Sequence, residues 1–247
     1  MKHQPSLLSA ILTPLLVALG LYGGAAQAQT PAPQPARLME PPYLVTGAHL
    51  VMLGVVWDAE VVKRVLPAGL KPTPELSGGI NIYQASGGYG VGPYQSAYFW
   101  VDVDGHDSSS GVKGRWMMQG VYGPEPRPAA TLVEYAGFPV RSGGSRFVDD
   151  GKIRQAIGSV AGHDFVSVKI KTSTDCSPAT SMLTYTTRKG LIEIPFTGSM
   201  CKAEPVSVDV TARAGDPFAA FKPQKILWAA EVKDAIFTIT RTLPPGF

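Results

Sequence analysis

Charge is scarce in this chain, cysteine is scarcer, and beyond the N-terminus there is no long apolar run. Only 17% of the 247 residues are Asp, Glu, Lys or Arg, against 45% hydrophobic, a balance that excludes a charge-solvated disordered protein. The Lys and Arg residues are scattered and the net charge is only +3, so the basic stripe of a nucleic-acid partner is missing. Beyond the first thirty residues nothing is long or apolar enough to span a bilayer as a helix. His49, His106 and His163 lie far apart. No His-x-His, His-Glu-x-x-His or Cys-x-x-Cys spacing occurs, so neither a metal site nor a cofactor is expected. A Gly-x-Ser-x-Gly nucleophile elbow is absent as well. The Gly-x-Gly steps between Gly87 and Gly92 join two strands and open no helix, so they read as a turn and not as a phosphate cradle.

What is present begins with Lys2, an apolar stretch from Leu7 to Leu21 interrupted by Ser9, Thr13 and Pro14, and an Ala26-Gln27-Ala28 finish. A basic start, a short apolar middle and Ala-x-Ala describe a secretory signal peptide over residues 1–28. A membrane anchor would need about 20 apolar residues without such a break. The expected location is therefore periplasmic or secreted, with no membrane span after cleavage. Residues 29–42 hold five prolines and read as a semi-rigid linker. Residues 43–247 suit one domain with a sizeable core.

In an exported chain disulfides persist, and Cys176 and Cys201 flank two strand-like runs, Thr180–Thr187 and Leu191–Thr197, around Arg188-Lys189-Gly190. A hairpin turning there brings the two cysteines nearly opposite, which predicts a disulfide; the alternative is a pair of buried thiols. Elsewhere Tyr43–Val56 reads as a strand. Asp58–Leu66 reads as a helix with Asp58 as N-cap and Pro67 as its stop. Ile80–Ala85 and Tyr94–Asp104 read as strands, Arg115–Tyr122 is ambiguous, and Pro128–Tyr135 is a short helix ending at Gly137. After Asp164 strands dominate. The strand from Tyr94 alternates Ala97, Phe99, Val101 and Val103 with Tyr94, Ser96, Tyr98 and Trp100, so both of its faces are covered. The Tyr and Trp face reads either as a cavity wall or as ordinary core.

These residues carry a family resemblance. Trp57-Asp58 through Leu66-Pro67 to Leu70 resembles the first helix and Leu-Pro-x-x-Leu exit of acetoacetate decarboxylases. Gly92-Pro93-Tyr94 resembles that family's Gly-Pro-Tyr strand, Glu134 through Phe138-Pro139 resembles its lysine-bearing segment, and Lys225 through Pro244 is similar to its last strands. The resemblance covers residues 43 to 244. It implies an α+β fold, predominantly an antiparallel β-sheet curved into a barrel or cone with a few short helices and an interior apolar site. It also implies Schiff-base chemistry, in which a lysine captures a β-keto acid and an adjacent cation depresses its pKa.

The positions of those two lysines are Val140 and Arg141 here, the glutamate after Gly-Pro-Tyr is Ser96, and the arginine before the first helix is Val56; Glu134 is retained. Valine offers no nucleophile, and arginine stays protonated. Between Gly137 and Gly144 there is no lysine at all, and Lys113, Lys169 and Lys225 read as solvated. The leading expectation is thus a pocket that binds a small keto or carboxylic acid without imine formation. Tyr94, Ser96, Tyr98, Phe138 and Val140 would line it, with Arg141 as carboxylate anchor and Glu134 as its partner. A second reading is an enzyme of altered chemistry on a keto acid (lyase, hydratase or aldol-type) using Glu134 as acid or base. A third is an interaction module of the cell envelope, and self-association remains open.

Overall fold

The computed structural model describes residues 38–243. The expected signal peptide and the linker up to residue 37 lie outside the described residues, and so do the last four. The first strand, β1 (Tyr43–Val56), is apolar and β-branched and buries both of its faces. At Gly47 (φ +57°) its register slips between Val45 and Ala48, and both side chains then reach the same core. Helix α1 (Ala59–Val65) follows, with the Asp58 carboxylate accepting from the Glu60 and Val61 amides and with Lys63 and Arg64 in its last turn. Its buried residues are Val61 and Val62, and it ends at Leu66, just before Pro67.

Three antiparallel neighbours come next: β2 (Ser77–Tyr89), β3 (Tyr94–Val103) and β4 (Gly114–Gly123). A cis Gly123-Pro124 bond leads into α2 (Pro126–Thr131) and one π-helical turn, Leu132–Ala136, which Gly137 stops in the left-handed conformation at φ +72°. The chain then forms β5 (Val140–Ser142), β6 (Gly144–Asp149), β7 (Ile153–Val160), β8 (His163–Lys171), β9 (Cys176–Thr187), β10 (Gly190–Val210) and β11 (Lys225–Ile239).

The expectation of an antiparallel sheet rolled into a barrel or cone is corrected. The strands form one eleven-stranded mixed sheet in the order β11-β1-β2-β3-β4-β9-β10-β8-β7-β6, with β5 beside β4 and a further pairing of β11 with β10. Most neighbours are antiparallel, but β4 runs parallel to both β5 and β9. The reason lies in the segment from Val140 to Val160, to which the sequence assigned no strand. It forms β5, β6 and β7; β6 and β7, with β8, pack as a layer against β2 and β3. The 21-residue β10 joins the two layers. Its first part pairs with β9 and β11, and Glu204–Val210 pairs with β8. The predicted disulfide is present, since Cys176 and Cys201 are directly opposed in the β9–β10 ladder.

Two cores result, one on each face of β3. Ala97, Phe99, Val101 and Val103 point toward the β6–β8 layer and pack with Phe165, Phe218, Phe221 and Trp57. Tyr94, Tyr98 and Trp100 point the other way, among Tyr83, Tyr122, Tyr185 and aliphatic residues of β1, β10 and β11. The alternation read from the sequence therefore assigns each side chain to the correct core.

Candidate active site

The second core is not fully packed. It encloses a pocket of about 400 Å³ whose walls come from β1, β2, β3, β4, β9, β10 and β11. Four side chains from four strands make its polar end. The Asn81 amide donates to the Tyr98 hydroxyl at 2.6 Å, the Tyr98 and Tyr185 hydroxyls lie 2.9 Å apart, and an Arg115 Nη1–H reaches the Tyr185 oxygen at 3.4 Å. Tyr83 and Tyr122 complete that region, and Tyr83 is bonded to Tyr94 at 2.8 Å. Burial pushes Tyr83, Tyr94, Tyr98 and Tyr122 well above the ordinary phenol value, so these four are neutral hydroxyls at any physiological pH.

Arg115 is the unusual member. It is only 7% exposed, its guanidinium lies 4.8 Å from the Trp100 ring centre, and among the described residues no carboxylate comes within ion-pair distance of it. Its Nε has no hydrogen-bond partner. Burial opposes the charge, but Tyr185, Tyr98 and Asp102, its partner in the β3–β4 ladder, together outweigh burial and hold the guanidinium above its ordinary value. A buried guanidinium with a free N–H is costly unless an anion completes it. The bidentate geometry of arginine suits a carboxylate. No buried amine is available beside it: Lys202, exposed at the rim, is the single lysine lining the pocket among the described residues.

The residues expected from sequence are only partly brought together. Tyr98 and Phe138 line the pocket. Tyr94 is buried behind it through Tyr83, and Ser96 is buried near Tyr122 without a hydrogen bond of ordinary geometry. Val140 is half-buried and borders a separate surface cleft with Pro139, Arg188 and Lys189. Arg141 does not anchor this pocket. Its Nη2 donates to both carboxylate oxygens of Asp216, at 2.7 and 2.8 Å, and its guanidinium lies over the Phe218 ring, which places it against the other core. Its partner is therefore Asp216 and not Glu134. Glu134 is exposed on the π-helical turn, where its main-chain oxygen accepts from Lys189 and its carboxylate is absent from the pocket wall. Lys113, Lys169 and Lys225 are also absent from that wall, and Lys113 pairs with Asp104 and Asp107 at the surface.

Sequence reading missed Arg115, Asn81 and Tyr185. One signal for Arg115 was available: a lone cation sits against Trp116, Met117 and Met118, a position where a solvated strand end would not place it. Asn81 and Tyr185 carried no comparable signal, because their roles depend on strand pairings far apart in the chain.

No protein-family model and no curated protein matches the chain. Solved structures do. An acetoacetate decarboxylase from Legionella pneumophila is similar at 14% identity and a TM-score of 0.67, over 87% of this chain and 91% of that one. This is the acetoacetate decarboxylase fold. An acetoacetate decarboxylase-like enzyme from Sphingomonas wittichii RW1 matches at 13% identity and a TM-score of 0.57, over 85% of this chain and 97% of its own. The enduracididine biosynthesis enzyme MppR, in its complex with pyruvate, matches at 16% identity and a TM-score of 0.60, over 87% and 95% of the two chains. At such identity the likeness establishes architecture alone. In this chain the fold encloses the Arg115 guanidinium and the hydrogen-bonded Asn81, Tyr98 and Tyr185.

Proposed function

We propose that the protein is an enzyme of altered chemistry on a keto acid, working through non-covalent keto–enol activation in the Arg115 pocket. The earlier expectation of a non-catalytic binding protein gives way to this reading, because the fold is shared with MppR, which has been seen with pyruvate and with a condensation product of pyruvate and an aldehyde. The observation that carries it is the buried Arg115, which has an unpartnered Nε–H and no ion pair among the described residues, beside the hydrogen-bonded Asn81, Tyr98 and Tyr185. The guanidinium holds the substrate carboxylate. A neutral phenol donates to the keto oxygen. A base from solvent, hydroxide or buffer entering at the open rim, takes the proton from the neighbouring carbon. The hydrogen bond strengthens as the C–H electron pair moves through the enol onto oxygen. The enol can then attack an aldehyde or be reprotonated. The exposed Glu134 has no part in this scheme. The N-terminal export signature and the disulfide support a site of action outside the cytoplasm.

The test is exchange of the C3 protons of 2-oxobutanoate in deuterated buffer, followed by proton NMR, alongside borohydride treatment. Catalysed exchange, weakened about 100-fold or more in Tyr98→Phe, together with no covalent adduct, is the expected result. A borohydride-trapped adduct on any lysine defeats the proposal, and so does exchange no faster than in buffer.

A further inference from the structure

The pocket holds more than its polar end needs. A cavity of about 400 Å³ is in the range that accepts drug-sized ligands, whereas a three-carbon keto acid seated on Arg115 leaves most of it unfilled. The remaining wall is apolar: Leu50, Met52, Ile194, Phe196, Phe237 and Trp228. Water against such a wall lacks hydrogen-bond partners, so the unfilled part favours hydrocarbon. Burial orders the pocket along its length. Asn81, Arg115 and Tyr185 are at most 7% exposed at the polar end, while Trp228 is 42% exposed and Lys202 is open to solvent.

Trp228 is seated deliberately. It is paired with Gly54 on β1, and any Cβ at Gly54 would stand 2.2 Å from the indole Nε1. The glycine thus lets the ring lie flat on the strand, where it extends the apolar wall to the mouth. An exposed tryptophan held in this way presents apolar area at small entropic cost.

We infer that the substrate is an amphipathic keto acid, with its carboxylate on Arg115 and an alkyl or aryl tail of several carbons running along the Met52–Phe237 wall to Trp228. This rests on the keto-acid reading and narrows it to longer-chain acids. The tail also accounts for the apolar stretch of wall between the buried polar end and Lys202 at the rim.

Calorimetric titration of the full chain with pyruvate, 2-oxobutanoate, 2-oxohexanoate and 2-oxooctanoate tests this, with octanoate as the keto-free control. Affinity rises by about fourfold for each methylene buried, so that 2-oxooctanoate, five methylenes longer, binds on the order of 1,000-fold more tightly than pyruvate. Ala230 lines the same wall, opposite Met52 on the β1–β11 ladder, and in Ala230→Leu, which fills that region, the gradient collapses. An affinity that is flat or falls with chain length in the unaltered protein overturns the tail assignment, whether or not the variant folds. A steep gradient in which octanoate equals 2-oxooctanoate supports the tail site and instead overturns the keto-acid reading on which it was built.

Discussion

The two faces of β3 share one backbone and have opposite characters. On one side Phe99 packs edge-on against Phe165 and Phe218, with ring centres 5.9 and 5.6 Å apart, and hydrocarbon fills the space. On the other, Tyr98 meets Tyr185 and Trp100 at similar distances, yet the hydroxyls, a buried cation and an open volume remain. The phenylalanine face holds the two layers together. The tyrosine face gives up packing to keep polar groups fixed around a space. Aromatic side chains serve both tasks, and the phenol oxygens mark the face that surrounds the pocket.

Substitution should separate the faces, beginning with the largest effect. Phe99→Ala opens a cavity in the filled core and lowers unfolding free energy by about 3–5 kcal/mol in denaturant titrations. Ligand affinity of the folded fraction is unchanged. An effect below about 1 kcal/mol would show that this core is not the one holding the fold.

Arg115→Met should act in the reverse sense. Removing a buried cation that lacks a carboxylate partner leaves stability level or raises it by about 1 kcal/mol, while keto-acid binding is abolished. A marked loss of stability would mean that the guanidinium is structural, and the contrast between the faces would fail.

The smallest effect concerns a third polar cluster, away from both aromatic faces. Glu231 is buried, 2.6 Å from His49 and 2.9 Å from Arg154. Burial raises its pKa, but the His49 hydrogen bond and the Arg154 and His49 charges outweigh that, and the value falls below the ordinary 4.5. A carboxyl depressed on folding contributes stability that is fully present above its unfolded value and is lost as pH falls through the folded one. Glu231→Gln should therefore flatten the decline in melting temperature below about pH 4.5. Asp164, depressed by Arg146, and Asp216, depressed by the Phe218 amide and then Arg141, both against burial, leave part of that decline in place. An unchanged acid limb would remove Glu231 from the account.

Much of the scaffold was legible in the sequence. The Asp58 cap, the stop at Gly137, the two-sided alternation of β3 and the opposed cysteines all follow from local rules of capping, turn conformation and period two. The β5–β7 region was not legible, because Gly143, Gly144, Asp149, Asp150 and Gly151 interrupt short strands that stay half-exposed and mimic a loop. Its omission concealed the second layer and made a rolled antiparallel sheet look sufficient. The site was legible in part. Tyr98 and Phe138 were found from the strand pattern and the aromatic-Pro segment. Arg141 and Glu134 were paired by proximity in sequence, whereas Asp216 reaches Arg141 across 75 residues. Arg115 stands in a strand whose hydrophobic period is disturbed by the register shift opposite Phe99 and Trp100, which blurs the face its side chain enters.

The central claim is that a guanidinium has taken over substrate capture from an amine. A crystal structure of the protein grown with 2-oxohexanoate tests it most directly. The account predicts the carboxylate within about 3 Å of Arg115 Nε and Nη, and the keto oxygen within hydrogen-bond distance of the Tyr98 or Tyr185 hydroxyl. Density continuous from a lysine Nζ to the keto carbon, or a ligand that leaves Arg115 untouched, would contradict it.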